Sequence, residues 1–398
     1  METRAEEIKK SAEPKKPAEL KKHHFDFLLF IAVLVICAFG LVMVFSASYY
    51  YAQVKYGTGA YFLKKQLIFF AAGLASMLLL SHLKFTAWKK LAVPGYIAVC
   101  LLLAATLIFG VKLNGARRWI NLGFQFQPSE FAKFALVVAL SALICSDRIN
   151  INMQSFIQGV LPCLIVLVPF AGLIILQPNF SLVVILCIIT YIMLYLGGTR
   201  LSHRFLLVAV GLIGGLLALY LAGYRMQRIT SYLNPEADPT GANYQIIQSR
   251  IALGNGGLFG QGLNFSRQKL LFLPERENDY IFAIIGEEMG FLRSALLIGG
   301  YFFVIVRGIL IAMRCPDRFG KLLAGGITGV LAVQVLINIG VVTSAIPSTG
   351  QTLPFISYGG TSLVVFMSAI GILLNVSRYT EVKEKNVRRT KKTAKQTG

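Results

Sequence analysis

The feature that most restricts this chain is a series of long apolar runs, near residues 27 to 46, 66 to 83, 90 to 110, 130 to 146, 156 to 176, 180 to 198, 204 to 222, 281 to 311, 322 to 341 and 362 to 377. An α-helix rises about 1.5 Å per residue, so about 20 apolar residues cross a hydrocarbon core of about 30 Å. Backbone amides find no water in lipid, which leaves helices and closed barrels as the only spanning forms. The alternation of a barrel strand is missing from these runs. The sequence therefore predicts an all-α polytopic membrane protein with about ten transmembrane helices.

Composition agrees: of 398 residues 56% are hydrophobic and 14% charged, more apolar surface than one soluble core could bury. The net charge of +21 gathers in two tails and in short loops, so anionic lipid headgroups, and no nucleic acid, are the expected counter-charge. Cys37, Cys100, Cys145, Cys163, Cys187 and Cys315 stand singly in or beside apolar runs and read as packing residues. No Walker A, HExxH, GxSxG or zinc-spaced pattern occurs. Gly254, Gly256, Gly257, Gly260 and Gly262 miss the dinucleotide spacing and read as a flexible loop. Ser46, Ala47 and Ser48 could mimic a signal cleavage site, but the run before them is long enough to span, which favours an uncleaved first helix.

Residues 1–24, rich in lysine and poor in apolar side chains, are expected to be a disordered basic cytoplasmic tail. Residues 25–378 form the membrane domain, and 379–398 a second basic cytoplasmic tail. If spans alternate, both tails, His82 to Lys90, Arg148, Arg200 to Arg204 and Arg314 to Lys321 share one side, which the positive-inside rule makes the cytoplasm. Segments 47 to 65, 111 to 129, the turn Gln177 to Asn179, the long stretch 223 to 280 and 342 to 361 then face outward. Lys112, Arg117, Arg118, Arg225, Arg228, Arg250, Arg267, Lys269 and Arg276 break the trend on that side, and an anionic ligand is one reason for outward cations.

Four segments carry polar groups that an apolar bundle does not need. In Asn114 to Lys133, Pro128 suits the first turn of a helix, and Glu130 and Lys133 share a face at i, i+3. They could be a structural ion pair with Trp119 as an interfacial anchor, or, with Arg118 beside them, part of a phosphate site. Leu271 to Gly290 is the densest acidic cluster: Glu275, Glu277, Asp279, Glu287 and Glu288 crowd the start of an apolar helix. A charge at the bilayer centre costs about 2.5–3.5 kcal/mol, so Glu287 and Glu288 should face a wet cavity or protein partners, while Asp279 at the rim stays available to substrate. Thr343 to Ser362 lacks Lys and Arg and is expected to fold back into the bundle. Gln177, Pro178 and Asn179 read as a tight polar turn. His23, His24, His82 and His203 lie on the predicted cytoplasmic side, so a general base should be a carboxylate.

At these residues the chain resembles the SEDS family (shape, elongation, division and sporulation), whose members include FtsW, RodA and SpoVE. The likeness runs from about residue 27 to 377 and is carried by FLPE and DYIFAIIGEE within Phe272 to Glu288, LPFISYGGTS at Leu353 to Ser362, GARRW and QPSE. Thr352 before LPFISYGG is similar to the FtsW and SpoVE branch. Asn179 departs from the family's common aspartate in the QPD turn.

The resemblance implies a peptidoglycan glycosyltransferase that extends β-1,4 glycan strands from lipid II in the bacterial cell membrane, at the division septum or during sporulation. It acts with a class B penicillin-binding protein as transpeptidase and with other division or sporulation membrane proteins. It marks Asp279 as the essential carboxylate, places Arg118, Gln127, Glu130 and Lys133 around a central cavity with Glu275 nearby, and lines the same region with Ser357, Tyr358 and Gly359. Asp279 would take the acceptor hydroxyl's proton, while Arg118, Lys133 and a divalent cation, Mg or Mn, are candidates to neutralise the pyrophosphate; no cofactor is assigned. A lipid II flippase or transporter is the main alternative, although no internal repeat is visible, and a recruiting scaffold is another.

Overall fold

The computed structural model describes residues 23–380 except 114–115, 122, 147–148, 150, 222–231, 233–240 and 242. The expectations for the tails to residue 22 and from 381, and for Arg148, Arg225 and Arg228, lie outside the described residues.

The ten predicted runs are all helical. They form α1 (Phe27–Tyr56), α2 (Tyr61–His82), α3 (Thr86–Phe109), α4 (Ser129–Ile144), α5 (Leu161–Leu176, preceded by a π-helical turn Phe156–Val160), α6 (Phe180–Gly197), α7 (Leu201–Leu221), α9 (Ile281–Arg314), α10 (Arg318–Val342) and α11 (Gly360–Ser377). Among the described residues, a further helix, α8 (Tyr244–Gly256), lies in the stretch expected to be a loop. Among the described residues, eight of these helices, counted with the π turn joined to α5, are long and apolar enough to cross a membrane; α4 has 16 residues, and the Leu201–Gly215 part of α7 is a shorter apolar helix. The first run continues about ten residues past its apolar end, because Tyr49, Tyr50, Tyr51 and Tyr56 are amphipathic side chains suited to a membrane boundary, and it stops at Gly57 in the left-handed conformation.

Among the described residues, the departure from an all-helical chain is a small antiparallel sheet of β1 (Val111–Leu113), β2 (Ala116–Asn121) and β3 (Gln125–Phe126), in the order β1-β2-β3. It sits between α3 and α4, and Thr361 Oγ1 at the start of α11 bonds the carbonyl of Gln125 at 3.3 Å.

Burial is arranged around α10 and α11, whose side chains are largely enclosed, with α2 against α11, α9 against α10 and α1, and α6 against α10. The outer helices expose apolar side chains such as Val35, Leu79, Ile108 and Val168, the pattern of helices solvated by lipid. At the end away from the acidic cluster, Asp26 caps α1 through Leu29 N at 3.0 Å and takes two bonds from the Arg307 guanidinium. Asn375 there receives Phe85 N and donates to the Ser81 carbonyl, both at 2.8 Å, fixing the α2–α3 turn against α11.

Of the five glycines expected to form a flexible loop, Gly256 and Gly260 are packed closely instead, while Gly254 and Gly257 face open space. Helix α9 breaks at Gly290 (φ +73°), and a Cβ there would sit 2.2 Å from the Gly260 nitrogen. Gly256 and Gly260 likewise press on the backbones of Gly286 and Glu288. At Gly260 and Gly290 only glycine permits both the positive φ and the contact.

Candidate active site

The acidic segment and the Thr343 to Ser362 loop meet end to end. Ser357 Oγ donates to the Asn278 carbonyl at 2.6 Å and Tyr358 N to the Glu277 carbonyl at 2.8 Å. Asn338, on α10, donates from one amide to the carbonyls of Asp279 at 2.8 Å and Gln351 at 2.7 Å. Gly350 adopts φ +66°, and a Cβ there would stand 3.3 Å from Asp279 Oδ2, so the loop passes directly over the carboxylate. The loop is buried as expected: Leu353, Phe355, Ile356 and Ser357 are enclosed.

The Asp279 backbone is thus fixed while its carboxylate stays partly exposed and accepts no hydrogen bond from any described residue. Its pKa is raised from 3.8 to about 7, chiefly by burial and further by the negative charges of Glu275 and Glu130, with the Arg118 guanidinium opposing them. Burial also pushes the Glu277 carboxyl up, against the pull of Arg276.

Arg118, on β2, is partly exposed and donates to the carbonyls of Gln177 (3.2 Å) and Pro178. The QPN turn therefore holds the arginine through its backbone, while Asn179 caps α6 through Leu182 N at 3.4 Å. An N-cap accepts with an amide oxygen or a carboxylate alike, so Asn179 keeps that role without the charge. Glu130 and Lys133 form the expected pair at 2.9 Å, and Lys133 Nζ also donates to Gln334 Oε1 at 3.1 Å and lies over the Phe366 ring. Lys133 has no exposed surface. Gln127 joins through its backbone amide, which donates to Thr361 Oγ1 at 3.3 Å. Glu275 is exposed and receives the Asn278 amide at 2.6 Å. Tyr358 is half-buried with its ring edge-on to Phe62 at 4.9 Å, and Gly359 N donates to Gln66 Oε1 at 3.4 Å.

Glu287 and Glu288 take protein partners rather than facing the site. Glu287 accepts from Ser266, from the amides of Arg267 (3.3 Å) and Gln268 (3.2 Å) and from Asn255 (3.3 Å). Glu288 accepts from Lys269 at 2.9 Å and Ser46 at 2.7 Å. They brace the start of α9.

Sequence reasoning missed Gln66, Gln334 and Asn338. Gln334 joins Lys133 to Gln351 and Thr352, and Gln66 donates to the Ser357 carbonyl at 3.1 Å. The signal was present: Gln334 and Asn338 are amides one turn apart in an otherwise apolar span. Among the described residues no three His, Cys, Asp or Glu side chains group closely enough to hold a metal ion, so no residue set here is assigned to the divalent cation named above as a candidate.

This arrangement offers a partly exposed carboxylate of elevated basicity, a cation at the rim and a rigid polar floor, which suits proton abstraction beside an anionic leaving group. Comparison with known proteins points the same way. Residues 26–382 match the FtsW/RodA/SpoVE family, described as cell cycle protein. The chain is 42% identical over 369 residues to the probable peptidoglycan glycosyltransferase FtsW of Trichlorobacter lovleyi, covering 91% of this chain and 95% of the relative. It is 42% identical over 363 residues to the stage V sporulation protein E of Bacillus subtilis, covering 90% and 99%. Among solved structures, a chain of a peptidoglycan synthase complex that coordinates polymerization and crosslinking superposes with a TM-score of 0.73 at 30% identity, covering 89% of this chain and 98% of that one. The rod shape determining protein RodA of Thermus thermophilus superposes with 0.66 at 29% identity, covering 90% and 98%.

Proposed function

The chain belongs to the FtsW/RodA/SpoVE family of cell cycle proteins, a multi-pass membrane family, and from that premise we infer that it is a peptidoglycan glycosyltransferase with Asp279 as its general base. Its substrate is lipid II, an undecaprenyl-pyrophosphate-linked disaccharide, and its product a β-1,4 glycan strand. The observation that carries the assignment of the base is the Asp279 carboxylate, fixed by its backbone, unbonded at its oxygens and raised to about 7. A base works best when its pKa lies near the working pH.

In the step proposed, Asp279 takes the proton of the acceptor hydroxyl as that oxygen bonds the donor's anomeric carbon. The bond from that carbon to the pyrophosphate breaks, and undecaprenyl pyrophosphate leaves as an anion. An α-linked donor giving a β-linked product requires inversion in a single displacement, so no glycosyl-enzyme adduct forms. A pyrophosphate needs charge neutralisation rather than the acid that a glycosidase supplies. Arg118 meets that need at the exposed rim; Lys133, enclosed against Glu130 and Gln334, braces Glu130 instead.

The positive-inside pattern supports cytoplasmic termini and an outward site. The likeness to a synthase complex supports a class B penicillin-binding protein as partner, and the FtsW and SpoVE relatives support a septal or sporulation setting. The test is reconstitution in liposomes with lipid II and the presumed transpeptidase. The native complex should yield glycan strands and the Asp279→Asn complex about 10²–10⁴-fold fewer, with the melting temperature showing that both fold. Movement of lipid II across the bilayer with no strand from either would replace this reading with a transporter.

A further inference from the structure

The chain between α8 and α9 has inverted polarity. Ser266, Gln268 and Lys269 are buried, while Leu258, Phe259, Leu263, Phe265 and Phe272 point outward, Phe259 at 69% and Phe265 at 73% exposure. A loop bathed in water turns its phenylalanines in; this one turns them out and encloses Ser266, Gln268 and Lys269, while Gln261, Asn264 and Arg267 stay exposed.

Its backbone is prepared for the same surroundings. The break at Gly290 exposes carbonyls that the loop's amides take up: Gln261 N donates to Glu287 O at 2.9 Å and Gly262 N to Glu288 O at 3.0 Å. In return Phe291 N donates to Gly257 O at 2.9 Å and Leu292 N to Leu258 O at 3.2 Å. Arg293 Nη1 donates to the Phe259 carbonyl at 3.1 Å. Irregular chain survives next to lipid only when its polar backbone groups are satisfied internally in this manner.

Length fixes the depth. From Phe291 to Arg314, α9 supplies about 24 residues, or about 36 Å, enough to cross a core of about 30 Å. The break therefore marks the upper boundary of the hydrocarbon. Phe291 and Leu296, at 65% and 77% exposure, carry the loop's apolar surface without interruption onto the lipid-facing side of α9. Arg267 and Arg293 are exposed at this level, where a cationic head on a long stem reaches lipid phosphates.

We propose that the Leu258–Phe272 loop is seated in the bilayer interface on the active-site side of the protein, its phenylalanines among acyl chains and Arg267 and Arg293 beside lipid phosphates. The loop that positions Glu287 and Glu288 behind Asp279 is thereby a membrane-seated element rather than an aqueous one. This assignment does not depend on the reaction catalysed.

Phe265→Trp in the full chain, reconstituted in liposomes, tests it against the unsubstituted chain, whose two tryptophans supply the background. The added emission should fall at least twofold with brominated acyl chains and be unchanged by aqueous iodide. Quenching by iodide alone would show a loop in water. Protection from both quenchers would show a surface covered by protein, a second copy or a partner helix, and would equally overturn the proposal. Phe259→Trp reads the same depth at a second position and decides the matter if the first variant does not fold.

Discussion

The side-chain amide of Asn338 holds the backbone carbonyl of Asp279 at 2.8 Å and that of Gln351 at 2.7 Å, so one residue near the end of α10 clamps both segments that build the site. Asn338 is 1% exposed, and no water replaces a bond lost there. Asn338→Ala would leave two carbonyls with lost partners, a cost of about 1–3 kcal/mol for a buried polar group. The expected outcome is a lower melting temperature together with a fall in kcat, because Asp279 loses its fixed direction. A variant with unchanged kcat and a lowered melting temperature would confine Asn338 to stability.

Asp279→Asn keeps the volume and removes the base. One positioned base contributes about 10²–10⁴ in rate, so strand synthesis in the reconstituted assay should drop by that factor while binding of lipid II persists. Residual activity within tenfold of native would remove Asp279 from the role of base.

Acidity separates the chemical role from the structural one. The base works when ionised, so activity should rise with pH through about 7 and then level off. Stability runs the other way. The folded carboxyl is raised above its unfolded value of 3.8, so the native state binds more protons and stability falls as pH climbs from about 4 towards 7. Asp279→Asn should therefore melt higher than the native chain, with the gap wider at pH 8 than at pH 5. Glu275 is the second cause of the elevation and is exposed, so Glu275→Gln should move the activity limb to lower pH with little change in melting temperature.

The helices were legible because lipid imposes one rule on every span: twenty or so apolar residues satisfy their own backbone. That rule places ten helices but says nothing of how they pack. Asp279 and Ser357 stood out as motif residues, yet Asn338 and Gln334 read only as isolated amides, since the carbonyls they hold lie 59 and 18 residues away in sequence. Gly256 and Gly260 misled for a related reason. Glycine serves both mobility and close approach, and only the position of Gly290 in a different element distinguishes them. Lys133 shows the same limit: its charge suggested an anion ligand, whereas its burial against Glu130 makes it a brace.

That brace makes a prediction of its own. Lys133 and Glu130 are both enclosed, with the lysine fully so, and each neutralises the other where solvent cannot. Removing one partner from a buried pair leaves an uncompensated charge and typically costs about 3–5 kcal/mol, while replacing both by apolar groups is often neutral. Lys133→Met should accordingly lower the melting temperature strongly, and Lys133→Met combined with Glu130→Leu should restore most of it. Activity should follow a different pattern. Glu130 contributes to the raised pKa of Asp279, so the double variant, though stable, should show its pH limb displaced to lower pH. Thermal melting and a pH profile on the same three proteins read both effects. A double variant as unstable as the single one would mean that the pair is held by its surroundings rather than by mutual charge.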